Sequence, residues 1–352
     1  MSTSRVLITG ANGEIGHSLI DQITSEQSNA AITAVDLREP RPELAAKCER
    51  FVVGDITDRA LLSQLSELDF DVVFHLAALL STGAERDPIL AHNVNVNGTL
   101  ALLEMAHKTG IRRQKPVVFM YPSSIAVYGL PSLQEKTAAG AINEDAYTNP
   151  ITMYGINKLY TEQLGRYFTR HFKLLEGDRQ DRFVDFRALR FPGLISAFTI
   201  PSGGTSDFAP EMIHAAARNQ VRELDDVYEC FVRPDARIPF MAMPDAIMAL
   251  RQLAAAERSG LTRTAYNITS FAPSAAEFAD MTASQFPRSR VEYVPHKHRQ
   301  AIIDSWPENT DDARARRDWN WVPGYDFERC FSEYLAPNIV AHYRKQAAAN
   351  AG

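Results

Sequence analysis

Residues 6–16 read Val-Leu-Ile-Thr-Gly-Ala-Asn-Gly-Glu-Ile-Gly. An apolar run enters three glycines, Gly10, Gly13 and Gly16, and helical apolar spacing follows, with Leu19, Ile20 and Ile23 on one side. The pattern predicts a first strand, a tight turn and a helix over 17–27. Glycines at such a turn let the backbone approach a pyrophosphate, and the helix N-terminus supplies unpaired N–H groups and a positive dipole end. Residues 31–35 form a second buried strand that ends at Asp36, 20 residues past Gly16. A dinucleotide fold has there the carboxylate that holds the adenosine ribose hydroxyls. The glycine spacing is G-x-x-G-x-x-G, not the commoner G-x-G-x-x-G, and alone it suits an ordinary loop. Strand, turn, helix, strand and Asp in register select the nucleotide reading. The fold class expected is α/β, a doubly wound parallel sheet. Asp36 repels a ribose 2′-phosphate and so favours NAD over NADP. Arg38 is the dissenting residue, set either to accept that phosphate or to lie by the adenine or in solvent.

The same alternation continues. A third strand, 51–56, ends in Asp55 and Ile56, beside the expected adenine ring; helix capping is the other reading of Asp55. A helix follows over 58–68. A fourth strand, 71–75, runs into Leu76, Ala77 and Ala78, small enough for close approach of a cofactor. His75, inside that apolar strand, reads as a core histidine and not a ligand. In a long helix over 93–107, Asn95 and Asn97 cannot both be buried on one face, so at most one has a specific role. A fifth strand, 116–120, opens into Tyr121-Pro-Ser123-Ser124, two hydroxyls where a parallel sheet binds ligands. Tyr154 and Lys158 then share one face of a helix reaching residue 172. An ammonium beside a phenol stabilises the phenolate and makes tyrosine a usable base.

A sixth strand, 183–191, nearly completes this core. Residues 1–190 are therefore read as the dinucleotide-binding core with its Tyr–Lys helix. Residues 191–345 are read as mainly substrate-binding, with some segments returning to the core, and 346–352 as a frayed tail. The stretch 173–182 reads as a charged surface insertion. The net charge of −6 on 352 residues falls in no acidic or basic block, which argues against nucleic-acid and membrane partners. Cys48, Cys230 and Cys330 are odd in number and far apart, predicting reduced thiols and no metal site. The first strand leaves no room for a signal peptide after Met1, and no apolar run spans a bilayer, so a cytoplasmic location is expected.

Thr9-Gly-x-x-Gly-x-x-Gly16, Asp36, Asp55-Ile56, Leu76-Ala-Ala78, Asn95, Ser124 and Tyr154-x-x-x-Lys158 together resemble the extended short-chain dehydrogenase/reductase superfamily, which includes nucleotide-sugar epimerases and dehydratases. The second half is similar to one branch, the short-chain type L-threonine 3-dehydrogenases. It carries this similarity through residues 122–126, 189–196, Gly203-Gly-Thr-Ser-Asp-Phe208, 237–241, 299–307 with its Ser305-Trp-Pro307, and 311–321. The resemblance covers nearly the whole chain. Stretches 173–182 and 219–228 are longer than usual for the family, and Ser124 stands where many members have Thr.

The resemblance implies a Rossmann core, NAD as cofactor, and oxidation of the C3 hydroxyl of L-threonine to 2-amino-3-oxobutanoate. Tyr154 is then the general base. Lys158 lowers its pKa and holds the nicotinamide ribose, and Ser124 binds the substrate oxygen. The cofactor is expected against Gly10, Asn12, Gly13, Glu14, Ile15, Asp36, Leu37, Arg38, Asp55, Ile56, Leu76, Ala77, Ala78, Asn95, Tyr154, Lys158 and Phe191. The substrate is expected against Ser81, Ser123, Ser124, Tyr154, Thr205, Asp207 and Trp306. Asp207 faces the substrate ammonium or else caps a helix; Trp306 walls the pocket or packs in the core. Arg190 and Arg237 read as ion-pair residues. By the same resemblance, the Asn93 and Tyr154 helices of two subunits pair into a four-helix homodimer interface. The alternative activity is a nucleotide-sugar 4-epimerase or dehydratase, with Arg233 and Arg237 as the diphosphate ligands. A silent NAD-binding scaffold has no need of Ser124, Tyr154 and Lys158 together.

Overall fold

The computed structural model describes residues 3–26, 29–176, 182–201 and 203–351. The elements that build the centre of the molecule are β1 (Ser4–Thr9), α1 (Glu14–Ser25), β2 (Ala30–Asp36), β3 (Arg50–Val53), α2 (Arg59–Ser66), β4 (Val72–His75), α3 (Thr99–Arg113), β5 (Val117–Ser124), α4 (Met153–Arg166), β6 (Val184–Phe191), α5 (Phe208–Arg222), α6 (Met243–Ala255) and β7 (Ala265–Asn267). The seven strands form one parallel sheet in the order β7-β6-β5-β4-β1-β2-β3. The strand order reverses between β1 and β4, and the crevice at the C-terminal ends of these strands is where open α/β sheets bind ligands.

Both faces of the sheet are covered. Leu19, Ile20 and Ile23 of α1 join Ile247 and Leu250 of α6 on one side. Leu61 and Leu65 of α2 join Leu102 and Leu103 of α3 on the other. Every residue of β6 is buried, as a parallel strand covered on both faces should be. Its charged residues are correspondingly paired, Arg187 with Asp185 at 2.7 Å and Arg190 with Glu162 at 2.6 Å. A separate apolar core gathers Phe208, Phe240, Phe278, Phe331 and Trp306. The short parallel pairs Gly193–Ile195 with Phe240–Ala242 and Tyr228–Cys230 with Val291–Tyr293 lie in the same half of the chain.

Several predicted boundaries move. α1 starts at Glu14, directly after the Gly13 N-cap, and Gln27 lies outside the described residues. The helix predicted over 93–107 opens with a π-helical turn, Asn93–Gly98, and continues to Arg113. That turn buries Asn95 and leaves Asn97 exposed. In the predicted insertion, Leu174–Glu176 make one exposed turn, while 177–181 lie outside the described residues. A helix, Ala336–Ala351, runs into the stretch read as the tail. Ile339 and Tyr343 anchor that helix in the second-half core, and its alanine-rich end favours continuation. Among the described residues no helix is long and apolar enough to cross a membrane.

Candidate active site

Gly10 turns out of β1 with φ of +71°, and a Cβ there would stand 2.6 Å from the Ala77 nitrogen. A Cβ on Gly16 would stand 2.4 Å from the Gly10 carbonyl oxygen. Glycine is thus required for the turn and for the close approach of the loop after β4. No side chain caps α1 at Gly13, so its first-turn N–H groups remain available to an anion. At the end of β2, Asp36 accepts the Asn12 N–H at 2.9 Å and the Arg38 N–H at 3.1 Å. These bonds fix the carboxylate and leave lone pairs for two hydroxyls. Leu37 and Arg38 are exposed at the rim, the Arg38 guanidinium 3.9 Å from Asp36. The glycine cradle, the uncapped helix and the anchored acid fit a dinucleotide.

At other positions expected to meet the cofactor, the side chains have protein partners. Asn95 is turned to protein: its amide accepts the Leu79 N–H at 2.8 Å and donates to the Leu79 carbonyl at 3.0 Å, holding the loop that carries Ala77 and Ala78. Ile56 and Phe191 point their side chains into the cores. Asp55 accepts the Thr57 N–H at 2.8 Å and so braces its own turn; the helix cap is Asp58. The Glu14 carboxyl is raised by burial, an effect that Ser196 and Thr199 partly offset, so it faces the second half of the chain. His75 is the core histidine predicted, held between the Thr9 and Thr99 hydroxyls at 2.8 Å each. Burial pushes its pKa down to about 3.

At the end of β5, Ser124 accepts the Ala126 N–H at 3.1 Å. α4 starts hard against this turn: a Cβ on Gly155 would stand 2.0 Å from the Ala126 carbonyl oxygen. Thr152 caps the helix by accepting the Gly155 N–H at 3.1 Å. This brings Tyr154 up to Ser124. Burial pushes the Tyr154 phenol upward and the Ser124 hydroxyl partly offsets it. Lys158 Nζ donates to the Pro122 carbonyl at 2.6 Å and lies 4.4 Å over the Tyr121 ring. It is 5.3 Å from the centre of the Tyr154 ring. Burial pushes Lys158 down to about 7, while Glu162 pulls it back up. Desolvation is thus the largest influence on each group in the absence of the nicotinamide ring, whose positive charge was expected to act with Lys158 on Tyr154.

Glu162 was not among the residues predicted from sequence. It accepts from Ser123 Oγ at 2.5 Å and from Arg190 Nε at 2.9 Å and Nη2 at 2.6 Å. Its signal was present as a ladder of Tyr154, Lys158 and Glu162, each four residues on, which one helix face carries. Ser123 must be corrected accordingly. Adjacent strand residues point to opposite faces, and the buried Ser123 hydroxyl is given to Glu162, so Ser124 alone of the pair faces Tyr154.

The glycine-rich loop before α5 reaches across to the segment after β4. Thr205 Oγ1 donates to Ser81 Oγ at 3.3 Å, and Thr82 Oγ1 donates to the Gly203 carbonyl at 3.3 Å. Arg299, which sequence reasoning used only as a motif residue, pins the loop from the far side. Its guanidinium donates to the Gly203 and Gly204 carbonyls at 3.1 and 2.5 Å and stacks 3.4 Å from the centre of the Phe231 ring. Asp207 stands at the N-cap of α5 but makes no capping bond; its carboxylate accepts the Gly204 N–H at 2.6 Å instead. Trp306 is buried in the second-half core, against which Tyr154 also packs, so core packing describes it better than a pocket wall. Arg233 is bound by Asp304 through two hydrogen bonds, at 2.9 and 3.0 Å. Arg237 pairs with Glu277 at 2.7 Å and donates to the Ala272 carbonyl.

The model of the NAD dependent epimerase/dehydratase family matches residues 6–269. The chain is 33% identical over 332 residues to the mitochondrial L-threonine 3-dehydrogenase of Bos taurus, covering 94% of this chain and 82% of that protein. It is 34% identical over 324 residues to an "uncharacterized epimerase/dehydratase" of Staphylococcus haemolyticus, covering 92% and 93%. Among solved structures, the L-threonine dehydrogenase from Clostridium difficile superposes with a TM-score of 0.82 at 31% identity, covering 97% of this chain and 99% of that one. With its cradle, its anchored acid and its Ser-Tyr-Lys cluster, the chain belongs to the NAD-dependent epimerase/dehydratase family, within the extended short-chain dehydrogenase/reductases, and uses NAD(H).

Proposed function

We propose that this enzyme oxidises the C3 hydroxyl of L-threonine with NAD⁺, giving 2-amino-3-oxobutanoate and NADH. The observation that carries the choice is the state of the two arginines that the sugar reading assigns to the diphosphate. A nucleotide-sugar substrate needs a cationic grip on its diphosphate, and Arg233 and Arg237 are both bound to carboxylates. The glycine-rich loop and the segment after β4 that it meets instead offer a carboxylate, Asp207, and two hydroxyls, Thr205 and Ser81. That set suits a small zwitterion: Asp207 faces the ammonium, and the hydroxyls with loop N–H groups receive the carboxylate.

Bound NAD⁺ supplies the acceptor for the C3 hydride. Ser124 orients the substrate hydroxyl toward Tyr154, which takes its proton. Because burial holds the phenol up, its ionisation depends on a charged Lys158 nearby, and Glu162 favours that charged form. Lys158 also serves the nicotinamide ribose. The test is NADH absorbance with L-threonine, together with chromatographic detection of epimerised or dehydrated product from UDP-galactose and UDP-glucose, whose turnover returns the hydride and leaves no net NADH. NADH from threonine alone is expected; sugar turnover without threonine oxidation overturns the reading.

Asp36→Ala removes the charged acceptor for the ribose hydroxyls. Charge-assisted hydrogen bonds contribute about 1.5–3 kcal/mol, so NAD⁺ should bind about tenfold weaker or worse, with NADP⁺ changed far less. Titration of both cofactors checks this, and equal losses would undo the selective role of the carboxylate.

We also infer a homodimer through the α4 face. Ile156 and Tyr160 lie one turn apart on it and are 48% and 53% exposed, and Ile89 and Ile151 are exposed as well. Apolar groups in such a row are stabilised by burial against a partner. Sedimentation should give twice the chain mass; a species of single-chain mass speaks against it.

A further inference from the structure

The end of the sheet opposite the active site carries a second concave surface. A cavity of about 420 Å³ lies where β6 and β7 begin, lined by Arg170, Arg182, Arg258 and Arg263. Among the described residues the one acid in its wall, Asp185, is already paired with the buried Arg187 at 2.7 Å. Arg263 is tied to Asp145, and Arg170 donates to the Thr262 carbonyl at 2.9 Å. Those two contacts set the walls. Arg182 and Arg258 are exposed and have no carboxylate within ion-pair distance among the described residues. Three chain segments thus bring four arginines to the wall of one hollow, in a chain whose net charge is −6. Like charges gathered this way repel one another unless an anion lies between them. The hollow continues through Arg170, Thr262 and Arg263 into an adjoining cavity of about 500 Å³, whose floor holds the Arg190–Glu162 pair.

We propose that this hollow is a binding site for a small multivalent phosphate, separate from the cofactor cradle. Planar guanidinium forks match phosphate oxygens in pairs, and several forks around one hollow suit a ligand with more than one negative charge. The ring of Phe186 is buried in the core, so no exposed aromatic face of the cavity stacks a base, and the recognised part is the phosphate itself. The cavity is at the N-terminal ends of β6 and β7, whereas Gly10, Asp36 and Ser124 are at C-terminal strand ends. β7 is also four strand positions from β1, about 19 Å at the usual spacing.

The test is calorimetric titration of pyrophosphate into enzyme saturated with NAD⁺, so that the cofactor's own pyrophosphate position is filled. One equivalent should bind, and the R182Q/R258Q variant should bind it at least tenfold more weakly, with unchanged NAD⁺ affinity and circular dichroism. R258Q alone serves if the double variant does not fold, with a smaller loss in the same direction. Absence of binding to NAD⁺-saturated enzyme, equal affinity in wild type and variant, or tighter binding of citrate than of pyrophosphate overturns the assignment. This outcome is independent of whether threonine is the substrate.

Discussion

Tyr154→Phe should lower kcat for threonine oxidation by about 10²–10⁴-fold, the range over which a positioned acid–base group contributes. KM for threonine should change little. The substitution removes one oxygen and leaves the ring, which packs on the second-half core with Trp306. Ser124, held by the Ala126 N–H, keeps the substrate oxygen in position. What is lost is the proton acceptor alone. The pH dependence gives the same separation. On the proposed mechanism the base is the ionised phenol, whose ionisation burial pushes to higher pH, so kcat/KM should rise with pH until the Lys158 ammonium is lost. The variant has no group to ionise there, and its residual rate should lose that rise. Rates of NADH formation across the pH range measure both effects, and near-full activity in the variant would falsify the general-base assignment.

Much of the site was legible because it is encoded locally. The glycines, Asp36, Ser124 and the Tyr154–Lys158 pair are each defined by a short spacing that a strand end or a helix face converts into position. What spacing does not encode is the direction in which a polar side chain spends its hydrogen bonds. Asn95 and Ser123 are adjacent to the site in sequence pattern, yet their partners, Leu79 and Glu162, are 16 and 39 residues away. Phe191 ends β6 and Ile56 lies in the turn after β3, but the cores on the two sheet faces take their side chains. The fold class followed from the alternation of elements. A return of some segments of 191–345 to the core was expected, but not which ones, because a short strand such as Ala265–Asn267 looks the same from sequence whether it extends the main sheet or starts another. Desolvation is illegible for a related reason. Proximity of Lys158 to Tyr154 follows from an i, i+4 spacing, whereas the desolvation that outweighs it depends on every segment that packs around α4.

Glu162→Gln should be the most destabilising single change near the site. Glu162 meets Arg190 through two nitrogens, at 2.9 and 2.6 Å, and both side chains are nearly inaccessible. Removing one partner leaves a buried charge without compensation, which costs about 3–5 kcal/mol. The neutral amide still accepts from Ser123, so the loss measures the ion pair and not that hydroxyl contact. Arg190 keeps its bonds to the Tyr128 hydroxyl and the Glu144 carbonyl, both at 2.8 Å, and these hold it in place without neutralising it. The E162Q/R190M double variant should therefore be more stable than E162Q, since a buried pair replaced as a unit is often close to neutral. Urea unfolding of the two single variants and the double variant resolves the coupling; a double variant less stable than E162Q would show that packing, not charge, dominates the pair. Activity supplies a second sign. Glu162 favours the charged form of Lys158 against the burial that pushes it down to about 7. With Gln, the ammonium is lost at still lower pH, so a rate that depends on it falls off earlier as pH rises. Glu162→Asp, which keeps the charge on a shorter side chain, should restore that limb toward its wild-type position even where stability remains reduced.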